Sequence, residues 1–190
     1  MNEGKLILVL GGSRSGKSQF AERLAATLGN KVLYLATAAV YDEEMARRVQ
    51  IHRQRRPAQW DSREETLNVI QAVEESAGRC DALILDCLTL WLTNLLLDDT
   101  LPRPHTPWPD KEKYMLGLVS QLANACKNTS PSVIVVSNEV GLGLVPEYPL
   151  GRAFRDVAGA ANQIMAQWAD EVYFVAAGLP MALKSQACQI

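Results

Sequence analysis

The sequence predicts an α/β fold, a mostly parallel sheet with helices on both faces. Three observations carry this. Short apolar runs alternate with helix-length amphipathic segments along the 190 residues. The runs are apolar at consecutive positions, as strands covered on both sides require. The first run also leads through a glycine-rich turn into a helical pattern, the usual strand-to-helix context of a phosphate-binding loop.

Taken in order, Lys5–Leu10 is a strand followed by glycines. Ser18–Leu28 reads as helix, with Phe20, Leu24 and Leu28 on one face, and Gly29-Asn30 is expected to close it through a left-handed cap. Val32–Ala36 is a second strand. Asp42 caps a helix expected to run to about Gln54, with Glu43 and Glu44 at its positive end. Ser62 and Glu65 have the spacing of a capping box for a helix through Ala77. Ala82–Asp86 is a third strand and Leu88–Leu97 a buried helix. Asp98–Asp110 carries Pro102, Pro104, Pro107 and Pro109, which exclude a regular helix or central strand and predict a surface excursion. Lys113–Lys127 is helix, Val133–Ser137 strand, Arg152–Ala169 helix and Glu171–Ala176 strand, while the residues after Gly178 show no clear pattern.

Composition bounds the function. With 48% hydrophobic and 21% charged residues the chain supplies one core, so residues 1–190 are expected to form a single domain. A net charge of −2 gives no basic footprint for nucleic acid. The N-terminal residues lack the pattern of a signal peptide, and the apolar stretch Leu88–Leu97 is too short to span a bilayer. A cytoplasmic protein without stable membrane insertion is expected. Cys80, Cys87, Cys126 and Cys188 lack metal-ligand spacing and are expected to be free thiols.

The segment Gly11-Gly12-Ser13-Arg14-Ser15-Gly16-Lys17-Ser18 carries the chemistry. Its glycines let successive backbone N–H groups turn toward phosphate oxygens, and the following helix adds its positive end. Lys17 would reach the β- and γ-phosphates, and Ser18 would offer its hydroxyl to Mg²⁺. Leu83-Ile84-Leu85-Asp86 resembles the partner strand of such a loop. Its terminal carboxylate would hold Mg²⁺, or else cap the next helix.

The class of nucleotide protein is narrower still. A regulatory GTPase carries Asn-Lys-x-Asp after a strand, but the comparable place here reads Ser137-Asn138-Glu139-Val140-Gly141. A small-molecule kinase needs only the loop, a metal and an acceptor pocket. A nucleotidyl transferase needs a further group near the α-phosphate, and Arg47–Pro57 offers one, with five arginines around His52. On a helix Arg48 and His52 share a face. Cations disfavour a protonated imidazole, and the neutral ring is nucleophilic. Two alternatives stand beside this: Met45, Val49 and His52 also share a face, which suits a core histidine, and the arginines suit a solvated surface. Glu139 is a candidate base, or a partner for Arg155.

The chain resembles the bifunctional adenosylcobinamide kinase / adenosylcobinamide-phosphate guanylyltransferase family of cobalamin biosynthesis. The blocks that carry the resemblance are Gly11–Ser18, Leu33–Thr37, Glu44–Trp60, Asp86–Leu96, Val136–Glu147 and Phe154–Gln163, in family order over nearly the whole chain. The most specific are Ser137-Asn138-Glu139-Val140-Gly141-Leu142-Gly143 and Phe154-Arg155-Asp156 through Asn162-Gln163. The resemblance implies a RecA-like P-loop fold, usually assembled as a homotrimer. It implies phosphorylation of the aminopropanol hydroxyl of adenosylcobinamide with ATP or GTP, then transfer of GMP from GTP through a guanylylated histidine, with pyrophosphate released. That histidine falls on His52. Nucleotide contacts fall on Gly11 to Ser18, on Ala38, Ala39 and Val40, on Arg53, Gln54, Arg55 and Arg56, and on Glu64 and Asp86, with Ser18 and Asp86 toward Mg²⁺. The catalytic pair is then His52 and Lys17. Two departures are visible. Ile51 stands where some members carry a second histidine, and Leu101–Pro109 belongs to no family block. A kinase that lacks guanylyl transfer, and a binding protein gated by nucleotide, are the competing readings. The apolar content of Leu88–Leu97 weakly supports assembly, if one core cannot cover it.

Overall fold

A computed structural model describes residues 4–39 and 57–188. Its frame is one seven-stranded sheet in the order β3-β2-β4-β5-β1-β6-β7. The strands are β1 (Leu6–Gly11), β2 (Val32–Ala36), β3 (Asp61–Glu64), β4 (Ala82–Asp86), β5 (Ser132–Asn138), β6 (Glu171–Ala176) and β7 (Leu179–Ala182). All neighbours pair parallel except β6 and β7. The helices among the described residues are α1 (Lys17–Leu28), α2 (Val69–Glu74), α3 (Leu88–Leu97), α4 (Trp108–Asn128) and α5 (Pro149–Trp168), with a 3₁₀ turn at Lys184–Gln186. The helix expected from Asp42 to Gln54 lies outside the described residues.

Strand alternation divides the core into two layers. Leu6, Leu8, Leu35, Leu83, Leu85, Val133 and Val135 are buried with α2 to α5 on one face. Ile7, Val9, Val32, Tyr34, Ile84, Ile134 and Val136 are buried with α1 on the other. Both faces of the central strands are therefore dry, which is why their sequences are apolar at every position.

Four local expectations are corrected. Ser62 does not cap a helix but lies in β3, an exposed and charged edge strand paired to β2 through Tyr34. Backbone pairing at an edge tolerates a sequence without an apolar face. The helix starts later, at Val69. Glu65 still binds free amides there, accepting from Leu67 N at 3.0 Å and Asn68 N at 2.9 Å.

Gly29 is not left-handed but extended, with φ 168°. What it provides is room, since an added Cβ would lie 2.1 Å from Asp81 Cβ. The Asp81 carboxylate then receives Asn30 N and Lys31 N, both at 2.9 Å.

The proline-rich excursion ends sooner than expected, because α4 begins at Trp108 with Pro109 in its first turn, where no amide donor is needed. The buried Lys111 ties the excursion down by donating to the Asp98 carbonyl at 2.8 Å.

Finally, α3 does not exceed the core: Leu88, Trp91, Leu92 and Leu95 are buried within the chain, and Leu97 is the exposed member. Among the described residues, exposed apolar side chains include Leu142, Leu144, Val145 and Tyr148 between β5 and α5, and Leu179, Met181 and Leu183 at the last strand. No helix of the described residues is long and apolar enough to cross a membrane. All four cysteines are free; burial pushes the Cys87 thiol up to about 11 and that of Cys126 up to about 12.

Candidate functional site at the carboxyl edge of the sheet

Register brings the predicted residues into one row. Gly11 pairs with Asn138, and Ala36 pairs with both Asp86 and Glu64, so all five stand where their strands end. In an open parallel sheet this carboxyl edge is where ligands bind. Glu139 N donates to Gly11 O at 3.1 Å, which fastens the chain leaving β5 beside the loop leaving β1.

The loop from Gly11 to Ser18 is a backbone turn with a left-handed residue at Arg14 (φ 57°) and at Gly16 (φ 95°). Such alternation points successive N–H groups into one concavity. Ser15 N closes the turn onto Gly12 O at 3.2 Å, and Phe20 N starts the helical ladder on Gly16 O at 3.0 Å. Gly12 is open, with nothing within 4 Å of an added Cβ. Gly16 is crowded, since its Cβ would meet Gly178 Cα at 3.0 Å. Gly178 belongs to the tight β6–β7 turn, where Ala177 and Gly178 both have positive φ, and its N–H donates to Ser15 O at 2.8 Å. The unassigned tail thus braces the phosphate loop. Ser13 and Arg14 are exposed at its tip.

Lys17 is buried, and its ammonium donates to Gly12 O at 3.1 Å, spanning the mouth of the loop. Burial draws its pKa below the ordinary lysine value, while Cys87 and Asp86 pull it the other way. With the Cys87 thiol neutral at physiological pH, Asp86 is the charge that favours the ammonium. Asp86 does not cap α3; Cys87 occupies that position without a side-chain cap. Instead one Asp86 oxygen, Oδ2, accepts from the Tyr34 hydroxyl at 2.5 Å. Half-buried Ser18 and Asp86 provide a hydroxyl and a carboxylate beside the loop, the oxygen donors that a hard cation bridging phosphates takes. The residues present therefore fit Mg²⁺.

Behind the row lies a polar scaffold that the sequence reading missed. The Thr37 hydroxyl donates to Cys87 O at 2.7 Å and accepts from Cys87 N at 2.8 Å, joining the exits of β2 and β4. Asn94 donates to Thr37 O at 2.8 Å and to Thr66 O at 3.0 Å, which adds the exit of β3. Asn138 donates to Thr89 Oγ1 at 2.9 Å, and Asn162 accepts from Ser137 Oγ at 2.7 Å. The available signal was a set of polar residues inside apolar runs, Thr89 and Asn94 in α3 and Asn162 in α5. Buried polar groups of that kind need partners, and here the partners are the strand exits.

Glu139 and Arg155 are not paired with one another. Glu139 accepts from Gly141 N at 2.5 Å, and Arg155 donates to Gly141 O at 2.7 Å. Glu64 is exposed, and Ala38 and Ala39 are half-buried just beyond Thr37. Val40, His52, Arg53, Gln54, Arg55 and Arg56 lie outside the described residues.

Comparison with known proteins gives a consistent result. A family model described as cobinamide kinase / cobinamide phosphate guanyltransferase matches residues 7–183. The chain is 46% identical over 181 residues to the bifunctional adenosylcobalamin biosynthesis protein CobP of Pseudomonas aeruginosa, covering 94% of this chain and 97% of that protein. Over 181 residues it is 38% identical to the bifunctional adenosylcobalamin biosynthesis protein CobU of Escherichia coli, with 94% and 99% covered. The protein of the same name from Salmonella typhimurium is 39% identical over 181 residues, again with 94% and 99% covered.

Proposed function

We infer that this chain, which belongs to the cobinamide kinase / cobinamide phosphate guanyltransferase family, phosphorylates cobinamide and then attaches a guanylyl group to the phosphate, in cobalamin biosynthesis. The observation that carries this reading onto the chain's own atoms is the braced phosphate loop, with Lys17 across its mouth and Asp86 at the adjacent strand end. Residues 1–190 act as one nucleotide-binding and transferase unit.

In the first step the aminopropanol hydroxyl of adenosylcobinamide attacks the γ-phosphorus of ATP or GTP. An O–P bond forms, the hydroxyl gives up its proton, the bond to the β,γ-bridging oxygen breaks, and the nucleoside diphosphate leaves. Lys17 exchanges the Gly12 carbonyl for phosphate oxygens, and the loop N–H groups hold charge that spreads as the bond breaks. Ser18 and Asp86 would hold Mg²⁺, which when bound would further neutralise the phosphates.

In the second step a His52 ring nitrogen attacks the α-phosphorus of GTP, and pyrophosphate leaves. The phosphate of adenosylcobinamide phosphate then attacks the same phosphorus, and the N–P bond breaks to give adenosylcobinamide-GDP. Two displacements suit a weak nucleophile such as a phosphate monoester. The arginines from Arg53 to Arg56, with Arg48, favour the neutral imidazole and draw in the α-phosphate.

Incubation with adenosylcobinamide and GTP tests the reading. Two successive products, the phosphate and then the GDP adduct, are expected. A single phosphorylated product would leave a kinase alone, and no product would leave a nucleotide-binding protein. The enzyme is also proposed to be a cytoplasmic homotrimer. The exposed apolar side chains at Leu142, Leu144, Val145 and Tyr148 support a covered surface. Light scattering should give three times the chain mass of 20.9 kDa. A monomer with full guanylyl transfer would exclude the assembly.

A further inference from the structure

Tyr34 is a polar-tipped ring inside an apolar layer. It lies on β2 and is 1% exposed, packed in the layer that α1 covers with Ile7, Val9, Ile84 and Val136. A phenol buried this deeply requires a hydrogen-bond acceptor. The acceptor it meets is not a structural carbonyl but Oδ2 of Asp86, at 2.5 Å. Pairing of β2 with β4 sets the approach: Tyr34 stands opposite Ile84, Ala36 opposite Asp86, so Tyr34 reaches the carboxylate diagonally on one face. The Asp86 backbone is held as well, its carbonyl accepting from Thr37 N at 3.1 Å.

We propose that Tyr34 is a positioning residue for the cation-binding carboxylate. Its hydroxyl holds one oxygen of Asp86 and so fixes the plane in which the carboxylate meets the divalent cation on the nucleotide. This rests on reading Asp86 as a ligand of that cation. The competing arrangement is close by, because the Lys17 ammonium feels the Asp86 charge. A carboxylate free to turn onto Lys17 would occupy the phosphate-binding cation and withdraw from the metal together. Tyr34 suits the restraint, since its packed ring moves on only two torsions and its hydroxyl is a rigid anchor. Partners that orient a metal ligand in this way typically set affinity about 10- to 100-fold.

The test is Mn²⁺ binding, read by electron paramagnetic resonance on full-length protein saturated with a non-hydrolysable GTP analogue. Tyr34→Phe keeps every ring contact and removes only the hydroxyl. It should weaken Mn²⁺ binding about 10-fold. The Mg²⁺ concentration for half-maximal phosphorylation should rise similarly, with the rate recovering at saturating Mg²⁺. Tyr173→Phe is the control, because Tyr173 donates to Glu171 at 2.8 Å at the opposite, amino edge of the sheet. It should leave Mn²⁺ affinity unchanged. Asp86→Asn separates the two claims. If Asp86→Asn weakens Mn²⁺ binding while Tyr34→Phe stays within twofold of wild type, Tyr34 is structural only and the proposal fails. If Asp86→Asn binds Mn²⁺ as wild type does, the assignment of Asp86 falls and the proposal with it. An equal loss in Tyr173→Phe would also overturn it, because the effect would then be general destabilisation.

Discussion

Lys17→Ala should depress phosphorylation and guanylyl transfer together, each by about 100-fold or more, the range seen when one preorganised donor is removed from a charge-stabilising site. The reason is geometric. The loop is one concavity, and its only ammonium crosses the mouth to Gly12 O at 3.1 Å. Any triphosphate seated there must displace that contact and take the ammonium for itself. Both reactions use a triphosphate, one at its far end and one at its near end, and both need it held. The substitution removes a buried, desolvated cation, so the fold should survive it. Initial rates of the two half-reactions, measured separately with adenosylcobinamide and with its phosphate, decide the matter. Loss of phosphorylation with guanylyl transfer intact would place the second GTP at a site other than this loop.

His52→Ala should have the opposite selectivity. Guanylyl transfer should fall about 1,000-fold or more, as expected when a covalent nucleophile is deleted, while phosphorylation stays within a few-fold of wild type. A loop built for attack at the γ-phosphorus brings no nucleophile of its own to the α-phosphorus. The chain has two histidines, and His105 lies in the proline-rich excursion, exposed. GTP labelled at the α-phosphate should label wild-type protein, in a bond that acid breaks and alkali spares, and should not label the variant. Equal loss of both activities would mean that His52 supports the fold or the nucleotide rather than carrying GMP.

The elements legible in the sequence are those in which one-dimensional pattern and physics coincide. β1, the loop and α1 were legible because an apolar run, two spaced glycines and an amphipathic helix each have a local cause. β4 and α3 were legible because each is a dense apolar run that is mostly buried. β3 was not, since Asp61-Ser62-Arg63-Glu64 carries no apolar pattern and owes its conformation to β2. Nor was β7, which depends on two positive-φ residues at Ala177 and Gly178 and on pairing with β6.

The same division runs through the site. The positions of Lys17 and Ser18 were legible from the spacing of the loop, and that of Asp86 from an apolar strand that ends in an acid. The Thr37–Asn94 scaffold and the Tyr34–Asp86 bond were not, because each joins strands that are neighbours only in the folded order. Tyr34 and Asp86 are separated by 52 residues, and nothing in either local sequence announces the other.

The stereochemical course at the α-phosphorus decides whether one chain carries GMP on His52 between two displacements. GTP made chiral there with a thio substituent should give adenosylcobinamide-GDP with net retention, because each in-line displacement inverts once. Net inversion would mean a single direct attack by the phosphate of the substrate, and would contradict a guanylyl-histidine.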